Sequence, residues 1–156
     1  MKLIELTGWG FGRKDLKRIV ANLTDEDNHE FNLMDPNRDM VEVLYEALQA
    51  ADECWLGVDE DGNWLALGGW QGDSVWFITT KAVDSLNIRG RAKFIKTLRD
   101  NRDDVLKKHG GPVGNVIWEG ATRHRGFLKA LGATFHDWWH VSEATGERFQ
   151  FFTVGN

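Results

Sequence analysis

Residues 115–141 read NVIWEGATRHRGFLKALGATFHDWWHV, and how this stretch divides into elements decides the fold. Asn115 to Trp118 holds Val116 and Ile117 in a short apolar run, the composition of a strand covered on both faces. Phe127, Leu128 and Leu131 then recur at helical spacing. They follow Thr122, whose hydroxyl can accept from the free N–H groups of a first turn. Gly132 closes this helix, because a left-handed position after the last turn costs glycine nothing. From Ala133 the period becomes two. Ala133, Phe135, Asp137 and Trp139 fall on one face, and Thr134, His136, Trp138 and His140 on the other.

Working outward, the longest predicted helix runs from about Ile88 to His109, with Ile88, Ala92, Ile95, Leu98, Val105 and Leu106 on one stripe, and His109-Gly-Gly-Pro112 ends it. A strand at Ser74 to Thr80 precedes it, so strand, helix and the Val116 strand form a unit whose two strands should be parallel neighbours. Cys54 to Val58, the Asp59 to Gly62 turn and Trp64 to Trp70 read as a hairpin, and Gly72-Asp73 turns the chain into Ser74. Downstream, Arg148 to Val154 pairs back on the His136 strand through a turn at Ser142 to Glu147.

The N-terminal third gives a strand at Lys2 to Thr7, a turn at Gly8-Trp-Gly-Phe-Gly12, and a helix over Asp15 to Leu23. The glycine run is not a phosphate loop, since no Gly-Lys-Ser/Thr follows it. Thr24 to Glu30 reads as an acidic loop. His29 beside Asp25, Glu26 and Asp27 is taken as part of a solvated charge run, and no metal site is expected. Asp35 as a cap and Pro36 in the first turn predict a second helix that runs to about Ala51.

These elements fit one domain over residues 1–156, long enough to bury a core. Eight Trp and nine Phe against one Tyr is a heavy aromatic load, suited to a thick core or an interface. A formal net charge of -5 argues against general binding of nucleic acid. Cys54 is the only cysteine, which excludes a disulfide framework and makes a reducing compartment the default. No apolar run is long enough to span a bilayer, so no membrane partner is expected.

Phe-Leu-Lys-Ala-Leu-Gly-Ala at 127–133 resembles the helix-to-strand signature of the GCN5-related N-acetyltransferases. The wider stretch from Gly68 to Asn156, with SVWFITT, the Arg-Gly-Arg-Ala run, FLKALGATFH and RFQFFTV, resembles the internal virion protein family of T7-like podophages, the gene 13 product family, itself described as acetyltransferase-like. The resemblance implies an α/β (α+β) acyl-CoA N-acyltransferase fold, a mixed twisted sheet in the order β-α-α-β-β-β-α-β-α-β-β. It implies splayed fourth and fifth strands with the pantetheine arm of acetyl-CoA in the gap, lined here by Phe77, Ile78, Thr79 and Phe127. The pyrophosphate would lie on the next helix, at Asn87, Ile88, Arg89, Gly90, Arg91 and Ala92. That segment matches the family loop at Gly90 and Ala92 and departs from it at Asn87, where the family prefers Gln or Arg.

Arg89, Arg91 and Lys93 in a first helical turn are mildly unfavourable unless an anion binds there. The alternative is that they point to solvent or meet acids such as Asp84, in a connection longer than the family's. For an acyl transfer, Glu119 at the end of its strand is the first candidate for general base, with His136 and His124 behind it. Glu119 could equally be a structural partner of Arg123 or Arg125. The family's usual acid, a tyrosine, is replaced by Leu128. Two functions follow from the resemblance. One is an N-acetyltransferase acting on an unknown amine, such as a protein lysine or N-terminus. The other is a non-catalytic internal virion or morphogenesis protein that retains the fold and meets other virion or host proteins. Either would work in the host cytoplasm or the virion.

Overall fold

A computed structural model describes residues 1–7 and 10–155, so Gly8 and Trp9 of the expected glycine turn lie outside the described residues. Among the described residues, seven strands form one mixed sheet in the order β1-β2-β3-β4-β5-β7-β6. They are β1 (Lys2–Glu5), β2 (Glu53–Val58), β3 (Trp64–Gln71), β4 (Ser74–Thr79), β5 (Val113–Trp118), β6 (Thr134–Val141) and β7 (Arg148–Val154). All pairings are antiparallel except β4 with β5. The expected fold class and parallel pair are present, and β7 also inserts between β5 and β6.

The N-terminal third departs from the expected order by one helix: α1 (Arg13–Ala21), α2 (Asp25–Met34) and α3 (Met40–Ala50) stand where two helices were read. The acidic run is not a loop but the first turn of α2. Thr24 Oγ1 accepts from Asp27 N at 3.2 Å, and Asp25, Glu26 and Asp27 oppose the positive end of the helix dipole. Asp35-Pro36 closes α2 instead of opening α3, because a residue before proline is driven to extended backbone, as Asp35 is at φ -162. The cap of α3 is Asp39, which accepts from Glu42 N at 3.1 Å.

Helix α4 (Ile88–His109) has the predicted bounds, with Asn87 as its cap and Gly110 left-handed at φ 82. Its inward residues differ from the predicted stripe. Ile88 is 88% exposed, while Phe94, at 1%, is the anchor together with Val105. Helix α5 (Thr122–Ala130) ends at Gly132 with φ 80, as expected. Thr122 is not its cap, however; the hydroxyl turns to Gly120 O at 3.5 Å.

The feature that shapes the rest of the molecule is the parallel pair. β4 and β5 pair only at Ser74 and Gly114, and beyond that point they part. Asn115 spans the start of the divergence, its Nδ2 donating to Val75 O at 3.0 Å. Core residues gather around three centres, one under α1 and α3 (Leu16, Ile19, Leu56), one between β5, β7 and α5 (Ile117, Phe152, Leu128), and one at Leu65, Val83 and Phe94. Among the described residues no helix is long and apolar enough to cross a membrane.

Candidate functional site

Strands that diverge leave ladder groups unpaired, and a buried N–H must find a partner elsewhere. Here the partners come from the acidic first turns of α2. Asp27 Oδ2 accepts from Thr79 N at 2.8 Å and from Thr79 Oγ1 at 2.7 Å, at the end of β4. Glu30 Oε2 accepts from Trp118 N at 3.1 Å, at the end of β5. Glu26 caps α5, its two carboxylate oxygens accepting from Arg123 N at 3.0 Å and His124 N at 2.9 Å. One helical face thus ties together both splayed strand ends and the helix after β5.

His124 stands in the middle of this arrangement. Its ring meets Phe77 edge-on at 4.4 Å between centroids, which bridges the gap from α5 to β4. Its Nδ1 lies 3.6 Å from Asp27 Oδ1 and 3.6 Å from Glu30 Oε1, is buried, and has no hydrogen-bond partner among the described residues. Burial by itself would lower the imidazole pKa. The carboxylates of Glu30, Asp27 and Glu26 outweigh that effect and hold it above its ordinary value. Glu30 and His124 also border a cavity of about 360 Å³ between the strands, with Phe77, Ile78, Val116 and Leu128 among its apolar walls.

Residues 54–140, more than half of the chain, match the family described as "Bacteriophage T7, probable scaffold protein Gp13". The chain belongs to that family. A probable scaffold protein gp13 of Escherichia phage T7 is 40% identical over 91 residues, which are 58% of this chain and 62% of that protein, so the chain spans less than two thirds of this Gp13 relative. Among solved structures, a ribosomal-protein-alanine N-acetyltransferase of Brucella melitensis superposes with a TM-score of 0.69 at 10% identity, covering 100% of both chains. A spermidine N-acetyltransferase of Vibrio cholerae does so at 0.63 and 11%, covering 99% of this chain and 94% of its own. The fold of this Gp13-family chain is that of the GCN5-related N-acetyltransferases.

The candidate catalytic residues do not converge in this Gp13-family chain. Glu119 is exposed and faces Arg148 Nη1 at 3.6 Å. Its expected partners are occupied elsewhere, Arg123 with Asp84 at 2.7 Å and Arg125 with Gln150 at 2.6 Å. His136 lies on the edge strand β6, with Nε2 2.7 Å from Thr153 Oγ1 and Phe151 beside it. Neither residue borders the cavity; of the three, only His124 does.

The cofactor candidates divide similarly. Phe77 and Ile78 line the cavity, and Phe127 packs edge-on against Phe94 at 5.5 Å. Thr79 is held by Asp27. At the start of α4, Asn87 Oδ1 accepts from Gly90 N at 2.8 Å, so the chain caps its own helix. Ile88, Arg89, Arg91 and Ala92 are exposed there, and Lys93 reaches Glu60 at 3.1 Å. The longer connection is a 3-10 helix at Lys81–Ser85 with Val83 buried, and its Asp84 pairs with Arg123 across the open ends of β4 and β5. Sequence reasoning missed Glu26, Asp27 and Glu30. Their spacing, i, i+1 and i+4 on a helix, was the available signal.

Proposed function

We propose that this chain is a structural protein of phage particle assembly, one that keeps the acetyltransferase fold and has taken up, from within, the backbone donors at its acetyl-CoA gap. The single observation that carries this reading is the seating of Glu26, Asp27 and Glu30 on the N–H groups of Thr79, Trp118, Arg123 and His124. The resemblance puts a pantetheine arm between those same strands. The polar groups that would hold it are bonded to α2 instead, the N–H of Gly90 is bonded to Asn87, and Asp84, in the connection after β4, is paired with Arg123 of α5. As arranged, these residues do not fit the cofactor. Leu128 in place of the family's tyrosine and the scaffold name of the T7 relative support the same conclusion. Its partners would then be other virion proteins, met in the infected host cell or in the particle.

Titration of the purified chain with acetyl-CoA and with CoA tests this directly. The expected result is no saturable heat and no rise in melting temperature at millimolar ligand, since only a ligand that prefers the folded state stabilises it. One-to-one binding abolished by Gly90→Glu, or acetyl transfer to an amine, would overturn the reading.

One observation favours the enzyme as a second reading. The cavity of about 360 Å³ is apolar and sits where an acyl arm would lie, with exposed Arg89 and Arg91 beyond it at the start of α4. In that reading α2 must withdraw before acetyl-CoA enters. The base is then Glu119, His136 or His124, and Glu119→Gln should preserve binding while turnover falls by ~10²–10⁴-fold.

A further inference from the structure

We propose that Asp27, Glu30 and His124 form a binding site for one divalent transition-metal ion of the zinc class. His124 Nδ1 and one oxygen from each carboxylate all lie within 4.8 Å of one another. The 3.6 Å from Nδ1 to Asp27 Oδ1 and to Glu30 Oε1 is too long for a good hydrogen bond. It does match the span between two ligands that share one ion, because bonds of about 2.1 Å place such ligands about 3.4–3.6 Å apart at tetrahedral to trigonal angles.

The supporting groups are arranged as a metal site requires. The second oxygen of each carboxylate is fixed, Asp27 Oδ2 by Thr79 and Glu30 Oε2 by the Trp118 N–H, which leaves Oδ1 and Oε1 turned toward the imidazole. Nδ1 itself is buried without a hydrogen-bond partner among the described residues, and the His124 side chain as a whole is 14% exposed and packed on Phe77. On binding, a divalent cation takes the place of a proton on His124 Nδ1 and balances the charge of the two carboxylates, with Glu26 close by. Glu30 and His124 border the cavity, so an ion has a route in and room for a water as further ligand. One imidazole nitrogen with two carboxylate oxygens suits zinc, manganese or cobalt, whereas magnesium favours an all-oxygen shell. The bound ion would join α2 to α5 and, through the fixed oxygens, to both splayed strands. This inference concerns the α2 face whether the chain is an assembly protein or an enzyme.

The test uses the full chain stripped with EDTA and exchanged into chelator-free buffer. Calorimetric titration with Zn²⁺ should give one ion per chain. At free Zn²⁺ of about a hundred times its Kd, the folded-to-unfolded ratio should rise about a hundredfold, seen as a higher melting temperature. Mg²⁺ should do neither. Glu30→Gln keeps an acceptor for the Trp118 N–H and should lose the ion, as should His124→Gln. His109→Gln, which alters the pair that His109 makes with exposed Asp73 and its edge contact with Trp70 and touches none of the three proposed ligands, should retain it. Because either site variant could fail to fold, the wild-type imidazole ¹⁵N spectrum is followed as well, and the His124 Nδ1 resonance should shift first as Zn²⁺ is added. Absence of one-to-one Zn²⁺ binding, equal binding by folded Glu30→Gln, or a first response at another histidine would each overturn the proposal.

Discussion

Asp27→Ala should be among the most damaging single substitutions outside the apolar core. Its carboxylate is the acceptor for two donors on Thr79, the backbone N–H at 2.8 Å and the hydroxyl at 2.7 Å, and Thr79 is only 5% exposed. Truncation strands both donors where water does not reach. A buried donor left unpaired costs about 1–3 kcal/mol, so the pair should cost roughly 2–5 kcal/mol. Asp52→Ala is the matched control, since Asp52 also accepts from a backbone N–H, that of Gly72 at 2.8 Å, but in an exposed setting where water can replace it. Urea unfolding followed by circular dichroism measures both. Asp27→Ala should lower the midpoint with an unchanged slope, and in a thermal melt it should lose roughly 4–20 °C at about 2–4 °C per kcal/mol. If Asp27→Ala falls within ~0.5 kcal/mol of wild type, level with the control, α2 does not hold the strand ends and the reasoning about the gap fails with it.

Gly114→Ala should destabilise by about 1–3 kcal/mol or more, because its Cβ would sit 2.3 Å from Phe152 O and force β5 away from β7; the loss should appear as a reduced urea midpoint. Glu119→Gln should change stability by less than ~0.5 kcal/mol, the pair with Arg148 being half exposed, and in the assembly reading phage yield should not change. Cys54, 3% exposed, has its thiol pKa pushed up from 9.0 by burial. The native chain therefore keeps a proton that the unfolded chain releases, so stability should fall as pH rises past about 9, and a thiol reagent should label Cys54 only as fast as the chain opens.

The elements that were legible in the sequence are those whose signal is apolar periodicity bounded by caps. α4 was read correctly at both ends, its close marked by Gly110, although Asn87 was not recognised as its cap and its stripe was misplaced by counting Ile88 and overlooking Phe94. The α2 segment was not legible, for the opposite reason. Its inward residues Glu26, Asp27 and Glu30 are acids, and periodicity of apolar side chains cannot register a face that docks on backbone N–H groups. The Asp35-Pro36 pair satisfies the rule for a helix start as well as the rule for a helix end, and only the acidic helix before it decides between them. Of the candidate site, the family resemblance pointed to Phe77 and Ile78 and the sequence offered His124 as one of three bases; these three line the cavity, while Glu119 pairs with Arg148 and His136 with Thr153, tertiary contacts that no local pattern displays.

The place of β7 bears on how the molecule comes into being. β1 to β4 follow a meander in which each pair of neighbours from β2 onward is joined by a short turn, so that half can assemble as soon as it is synthesised. β5 and β6 are made earlier than β7, yet β6 reaches the rest of the sheet only through it, and β5 meets β4 only at Ser74 and Gly114. A nascent chain therefore holds two strands with open edges, β6 rich in aromatic residues, until residues 148–154 emerge, an interval in which strand exchange between neighbouring copies competes with proper closure. Translation speed through this last segment, and chaperones that shield open strands, should govern the yield of folded protein more than any contact at the gap.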